Sequence, residues 1–143
     1  MKVSGQKGVA HKKIISKSPY RQEKSRKKRG KMPCLDISTN VNLDGINTDS
    51  IFSELTKAVS QIIGKPEKFV MILLKGSVTL TFGGNKEPAA LAEIVSMGGI
   101  NTEVKRKLIA TLGSILENKL YIPRTRFVLK VFDTTMGRQN SKL

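Results

Sequence analysis

The stretch Pro66-Glu67-Lys68-Phe69-Val70-Met71-Ile72-Leu73-Leu74 is answered in the second half of the chain by Pro123-Arg124-Thr125-Arg126-Phe127-Val128-Leu129. Each is a proline, a short polar link and an apolar run of strand length. The prolines stand about half of residues 32–143 apart, too far for a solenoid repeat and suited to a duplicated βαβ unit. Ahead of the first copy, Ile51, Phe52, Leu55, Val59, Ile62 and Ile63 recur at helical spacing, with Asn47 or Thr48 to cap them and Gly64 and Pro66 to stop them. Ahead of the second, Val104, Leu108, Ile109, Leu112, Ile115, Leu116 and Leu120 do the same behind Asn101 or Thr102. Each helix is preceded by a strand. The first lies in Met32-Pro33-Cys34-Leu35-Asp36-Ile37-Ser38-Thr39-Asn40, where Leu35 and Ile37 alternate with Asp36 and Ser38; the second is Leu91 to Met97, stopped by Gly98-Gly99. Val78-Thr79-Leu80-Thr81-Phe82 reads as a further short strand running into the turn Gly83-Gly84-Asn85. Right-handed crossovers would set both helices on one face of a four-stranded sheet, an α+β domain.

Two helices cover one face only. The run Phe69 to Leu74 is apolar at every position, so both of its faces need shelter from water. A bare apolar sheet face would aggregate, and the pattern therefore calls for another subunit against it, without setting how many.

The 143 residues suffice for one domain. The formal charge of +15 divides unevenly: residues 1–31 hold 12 of the 26 Lys and Arg and one acid, Glu23, whereas residues 32–143 hold 14 with ten acids. The excess basicity belongs to the N-terminal segment, and nucleic-acid binding is not expected of the folded part. Residues 1–31 have few apolar positions and no sustained period, which reads as a disordered basic extension to a domain over 32–143. The run Lys24 to Lys31 suits nuclear import or a polyanion. Low acid content suits an organelle transit peptide, although such peptides favour Arg and Ser over this much Lys. The remaining alternatives are cleavage, a start at Met32 that bypasses the segment, or a solvated tail without a role. No apolar run approaches the ~20 residues of a membrane helix, so no membrane partner is expected. Cys34 is the one cysteine and His11 the one histidine. That count argues against an intrachain disulfide, a CxxC pair and any metal site.

Pro33 stands apart. If Met32 were the first residue and were removed, the Pro33 nitrogen would be a free secondary amine. With the upstream residues attached it is a tertiary amide, with no proton to give and no basicity. Function turns on which of the two exists.

Pro33 behind Met32, Thr39-Asn40-Val41, Ser53-Glu54-Leu55, Gly64-Lys65-Pro66, Phe82-Gly83-Gly84, Glu87-Pro88 with Ala90, and Ser96-Met97-Gly98 occur in that order. Together they resemble the macrophage migration inhibitory factor and D-dopachrome tautomerase family, its plant members above all. The resemblance covers nearly all of residues 32–143 and none of 1–31. It implies a homotrimer of duplicated βαβ units with the sheets packed at the centre. It also implies cofactor-free keto–enol tautomerisation of phenylpyruvate-like aromatic keto acids and isomerisation of dopachrome analogues.

Tautomerisation moves a proton between carbon and oxygen and needs a base that is neutral at working pH. An ordinary α-amine titrates near ~8; nearby positive charge and partial burial would lower that, toward the range where a general base is efficient. Pro33 is the catalytic candidate. Lys65 matches the family lysine that grips the substrate's acidic group; its alternative reading is a cation at a helix C-terminus. Lys130, between Leu129 and Val131, stands where the best-known members carry an asparagine; its alternative reading is an edge-strand charge that blocks unwanted pairing. Val128 stands where some members place a tyrosine hydroxyl, and Phe69 where an aromatic lines the mouth. Met97 matches a position whose backbone N–H meets the substrate. Ala89 and Ala92 fall where some members carry a CxxC pair, so thiol oxidoreductase activity is not expected.

Ser141-Lys142-Leu143 has the form of a C-terminal peroxisomal address, which implies a peroxisomal import receptor as partner. Cytoplasm or extracellular space follow from the resemblance instead, and the nucleus from the basic extension. The alternative to the isomerase is a signalling or interaction protein on the same trimer, with a protein receptor and little or no catalysis.

Overall fold

In the computed structural model, which describes residues 32–134, two strand–helix–strand units follow one another. The first is β1 (Cys34–Thr39), α1 (Thr48–Ile63) and β2 (Met71–Lys75); the second is β3 (Ala90–Ser96), α2 (Thr102–Leu120) and β4 (Phe127–Asp133). The sheet order is β2-β1-β3-β4. Each unit contributes a parallel pair, β1 with β2 and β3 with β4, and the units meet through the antiparallel pair β1 with β3. The expected duplicated fold is the observed one.

The junctions repeat as closely as the order. Asn47 Oδ1 accepts from Ser50 N (3.2 Å) and Asn101 Oδ1 from Val104 N (2.8 Å), satisfying donors that each helix start leaves open. At the other end, Gly64 closes α1 in the left-handed region (φ 84°) and Tyr121 closes α2 in the same region (φ 59°). A non-glycine there is held by two bonds: its own N–H donates to Glu117 O, and Ile122 N–H to Leu116 O. Pro66 and Pro123 follow with nearly equal backbone angles and start 3-10 turns that feed β2 and β4.

The core lies between the helices and one face of the sheet. Leu35, Ile37, Ala92 and Ile94 of the two central strands meet Ile51, Leu55 and Val59 of α1 and Leu108, Leu112 and Leu116 of α2, all fully buried. Among the described residues, the remaining apolar side chains packed on this cluster also fall between Val41 and Val131.

Two elements differ from the sequence reading. The strand expected over 69–74 runs over 71–75, because Glu67–Phe69 winds as a 3-10 turn behind Pro66. The strand expected over 78–82 is an extended link whose one bridge joins Phe82 to Asn85. Ser77 turns the chain at φ 54°, and side chains then hold the link. Asn40 donates to the carbonyls of Leu80, Lys86 and Glu87 and accepts from Ala89 N. Arg126 donates to those of Phe82, Glu87 and Pro88 and stands 5.1 Å over the Phe82 ring.

No helix of the described residues lies on the second sheet face. Register sets it out in three rows across β2, β1, β3 and β4: Met71, Cys34, Val95, Phe132; Leu73, Asp36, Glu93, Lys130; and Lys75, Ser38, Leu91, Val128. Met71, Leu73, Val128 and Phe132 are 64%, 46%, 42% and 48% exposed there. Ile72 and Leu74, the other half of the apolar run, face the core. Between the exposed apolar corners the charges pair off, Lys75 with Asp36 (3.3 Å) and Lys130 with Glu93 (3.7 Å). No helix among the described residues is long and apolar enough to cross a membrane.

Candidate active site

Pro33 leads into β1, and its carbonyl accepts from Met71 N (3.0 Å), which joins the starts of β1 and β2. Because Cys34 pairs with Val95, Pro33 stands level with Ser96 and with the turn that leaves β3. The side chain of Pro33 is fully buried, and its nitrogen is acylated by Met32.

Three of the other expected residues are built at this same end of the sheet. Lys65 follows the Gly64 cap; its N–H donates to Ser60 O (3.1 Å), its carbonyl accepts from Ser60 Oγ, and among the described residues its ammonium has no carboxylate partner. Phe69 closes the 3-10 turn two residues before Met71, with Lys68 Nζ 5.4 Å from its ring centre. Met97 begins the turn after Ser96. The turn runs close to Lys65: a Cβ on Gly99 would lie 3.3 Å from both Ile63 Cγ2 and Ile63 O, and 3.9 Å from Lys65 Cε.

Lys130 and Val128 lie elsewhere. Lys130 pairs with Glu93 and Val128 with Leu91, three and five residues down β3 from Ser96. At a strand's rise that is about 10 Å and 17 Å from the level of Pro33. Within one chain the uncovered face holds these two and the sheet end holds the other four. Ser141, Lys142 and Leu143, and the extension over 1–31, lie outside the described residues.

Asp133 carried no expectation. It is the last residue of β4, in register with Ser96, and its Oδ1 accepts from Gly98 N (3.2 Å) while Ser96 Oγ donates to Gly98 O (3.1 Å). No motif marks it in the sequence; only the pairing of β3 with β4 brings it beside the Gly98-Gly99 turn. Among the described residues, no group of three or more His, Cys, Asp or Glu is placed to hold a metal ion.

The family profile described as macrophage migration inhibitory factor (MIF) matches residues 32–140. A macrophage migration inhibitory factor homolog of Trichuris trichiura is 34% identical over 102 residues, covering 71% of this chain and 89% of that protein. The Xenopus laevis macrophage migration inhibitory factor is 30% identical over the same length, covering 71% and 88%. Among solved structures, the homologue from Prochlorococcus marinus is similar at TM-score 0.67 and 29% identity, covering 70% of this chain and 87% of that one. The protein from Trichinella spiralis is similar at TM-score 0.65 and 29% identity, covering 70% and 88%.

Proposed function

Since the chain belongs to the macrophage migration inhibitory factor family, we propose that its domain is a cofactor-independent keto–enol tautomerase for phenylpyruvate-type acids, with the amine of Pro33 as the base once that residue is the N-terminus. The observation that carries this reading is the convergence of Pro33, Lys65, Phe69 and Met97 on one end of the sheet. The neutral amine takes the proton from the carbon next to the keto group, the electron pair moves onto the keto oxygen, and the resulting ammonium returns a proton to that oxygen. Lys65, with no carboxylate neighbour among the described residues, is the cation that holds the substrate carboxylate and steadies the enolate as charge builds. Phe69 supplies an apolar wall for an aromatic ring, and the Met97 N–H a donor. Lys130 and Val128 join this site only from a neighbouring copy, since in their own chain they stand about 10 Å and 17 Å along the sheet.

While residues 1–32 are attached, the Pro33 nitrogen is an amide and its ring is buried, so the longer chain is catalytically silent. That observation favours the second reading for the longer chain, an interaction protein on the same scaffold. Ser141-Lys142-Leu143 would address either form to peroxisomes.

Protein beginning at Pro33, which retains every core residue among those described, is compared with the full chain for interconversion of keto and enol phenylpyruvate, with both N-termini checked by mass. The shortened protein is expected to turn over, with a rate rising through one ionisation below that of an ordinary α-amine, and the full chain is expected not to. Equal rates from the two would exclude Pro33 as the base. Silence from both would leave the interaction reading.

A further inference from the structure

The turn that carries Met97 is held from outside itself. Gly98 and Gly99 both sit at φ 80°, the region only glycine enters freely, so the turn has little stiffness of its own. A Cβ on Gly98 would find nothing within 4 Å, so packing does not press on that residue. Both polar groups of Gly98 are instead engaged by side chains at the ends of adjacent strands: its N–H donates to Asp133 Oδ1 (3.2 Å), and its carbonyl accepts from Ser96 Oγ (3.1 Å). Ser96 is 1% exposed and belongs to the sheet floor. Asp133 sits on the side of β4 that presents Phe127, Leu129 and Val131 to the core, where a carboxylate is costly unless it is used. On the other flank, a Cβ on Gly99 would stand 3.3 Å from Ile63 and 3.9 Å from the stem of Lys65, so the turn runs close beside both.

We propose that Asp133 is a positioning residue of the Pro33 site: by accepting the Gly98 N–H it sets the turn that aims the Met97 N–H and backs the stem of Lys65. It does not touch the reacting atoms. This rests on the tautomerase reading for its kinetic consequence and on geometry alone for its structural one. A bond to a charged acceptor is the stronger kind, and it is the acceptor oxygen, more than the charge, that the turn needs.

The test uses Asp133→Ala and Asp133→Asn, the second retaining an oxygen where Gly98 N–H points. In protein beginning at Pro33, Asp133→Ala is expected to raise KM for phenylpyruvate about tenfold or more with kcat within about threefold, and Asp133→Asn to return KM to within about threefold of the parent. In the full chain, hydrogen exchange of the Gly98 amide is expected to be at least about tenfold faster in Asp133→Ala and unchanged in Asp133→Asn, with the amides of Ile37 and Leu112 unaffected. Unchanged Gly98 exchange in Asp133→Ala would overturn the proposal, as would an Asn variant as impaired as the Ala one. If the parent beginning at Pro33 has no turnover, the tautomerase reading falls, and the exchange measurement still decides whether Asp133 sets the turn.

Discussion

Leu73→Asp should take the assembly apart while leaving the single chain folded. Leu73 occupies the middle row of the second sheet face, beside Asp36, with Glu93 and Lys130 beyond. It is 46% exposed in one chain. Burying a leucine fully is worth about 1.5–3 kcal/mol, so covering what remains is worth about 1 kcal/mol per subunit. The new carboxylate would find no spare cation in its row or the next, since Lys130 already serves Glu93 and Lys75 serves Asp36. Holding that charge in a covered face costs further, about 2 kcal/mol as a conservative figure against the 3–5 kcal/mol of a broken buried pair. Three subunits together would lose about 9 kcal/mol, on the order of 10⁶ in the association constant of a trimer. In the lone chain the face is wet and the substitution costs little. Sedimentation equilibrium of the full chain at about 1 μM should give three times the 15.8 kDa chain mass for the parent and one for Leu73→Asp, with unchanged far-ultraviolet dichroism. A Leu73→Asp trimer at that concentration, or a well-folded monomeric parent, would refute the argument that this face is covered.

Lys65→Ala in protein beginning at Pro33 should raise KM for phenylpyruvate about tenfold or more, because a charge-assisted bond to the substrate carboxylate is lost; steady-state kinetics would show it. Gly76→Ala should lower the thermal midpoint, at a cost of about 1–3 kcal/mol, since its Cβ would come within 2.5 Å of Leu43 Cγ and 2.9 Å of Val41 O; calorimetry on the full chain checks this. A fluorescent protein fused ahead of Ser141-Lys142-Leu143 should enter peroxisomes and return to the cytosol when Leu143 is deleted, whereas nuclear signal from both would point to Lys24–Lys31.

Period and punctuation made most of the fold legible. Ile51, Leu55, Val59 and Ile63, like Leu108, Leu112, Leu116 and Leu120, are spaced for one helical face and are buried on it. Ile109 fits the same spacing and is 50% exposed, lining a surface cleft with Gly113, Arg124 and Phe127. The segment 78–82 alternates like a strand, yet pairing needs a partner edge, and none is supplied within the described chain. Half of the candidate site was legible as ordered motifs around Pro33, Lys65 and Met97. Asp133 was not, since one acid has no period, and only the parallel register of β3 and β4 brings it under Gly98. The separation of Lys130 and Val128 from Pro33 was hidden for the same reason: distance along a strand appears only once its pairing is known.

The two junctions described above make the molecule a duplicated part with one working end. Gly64-Lys65-Pro66 and Tyr121-Ile122-Pro123 occupy matching places, but Lys65 is half-buried with its ammonium at hand, while Ile122 is fully buried. Where the first unit offers a cation near Pro33, the second buries an isoleucine, and the Arg126 that follows binds the carbonyls of Phe82, Glu87 and Pro88. Duplication thus gave a scaffold of twofold likeness in which the proposed site has no counterpart. On the proposed reading, an assembly of these chains would carry one site per chain, and the second junction would be free to vary as plain architecture.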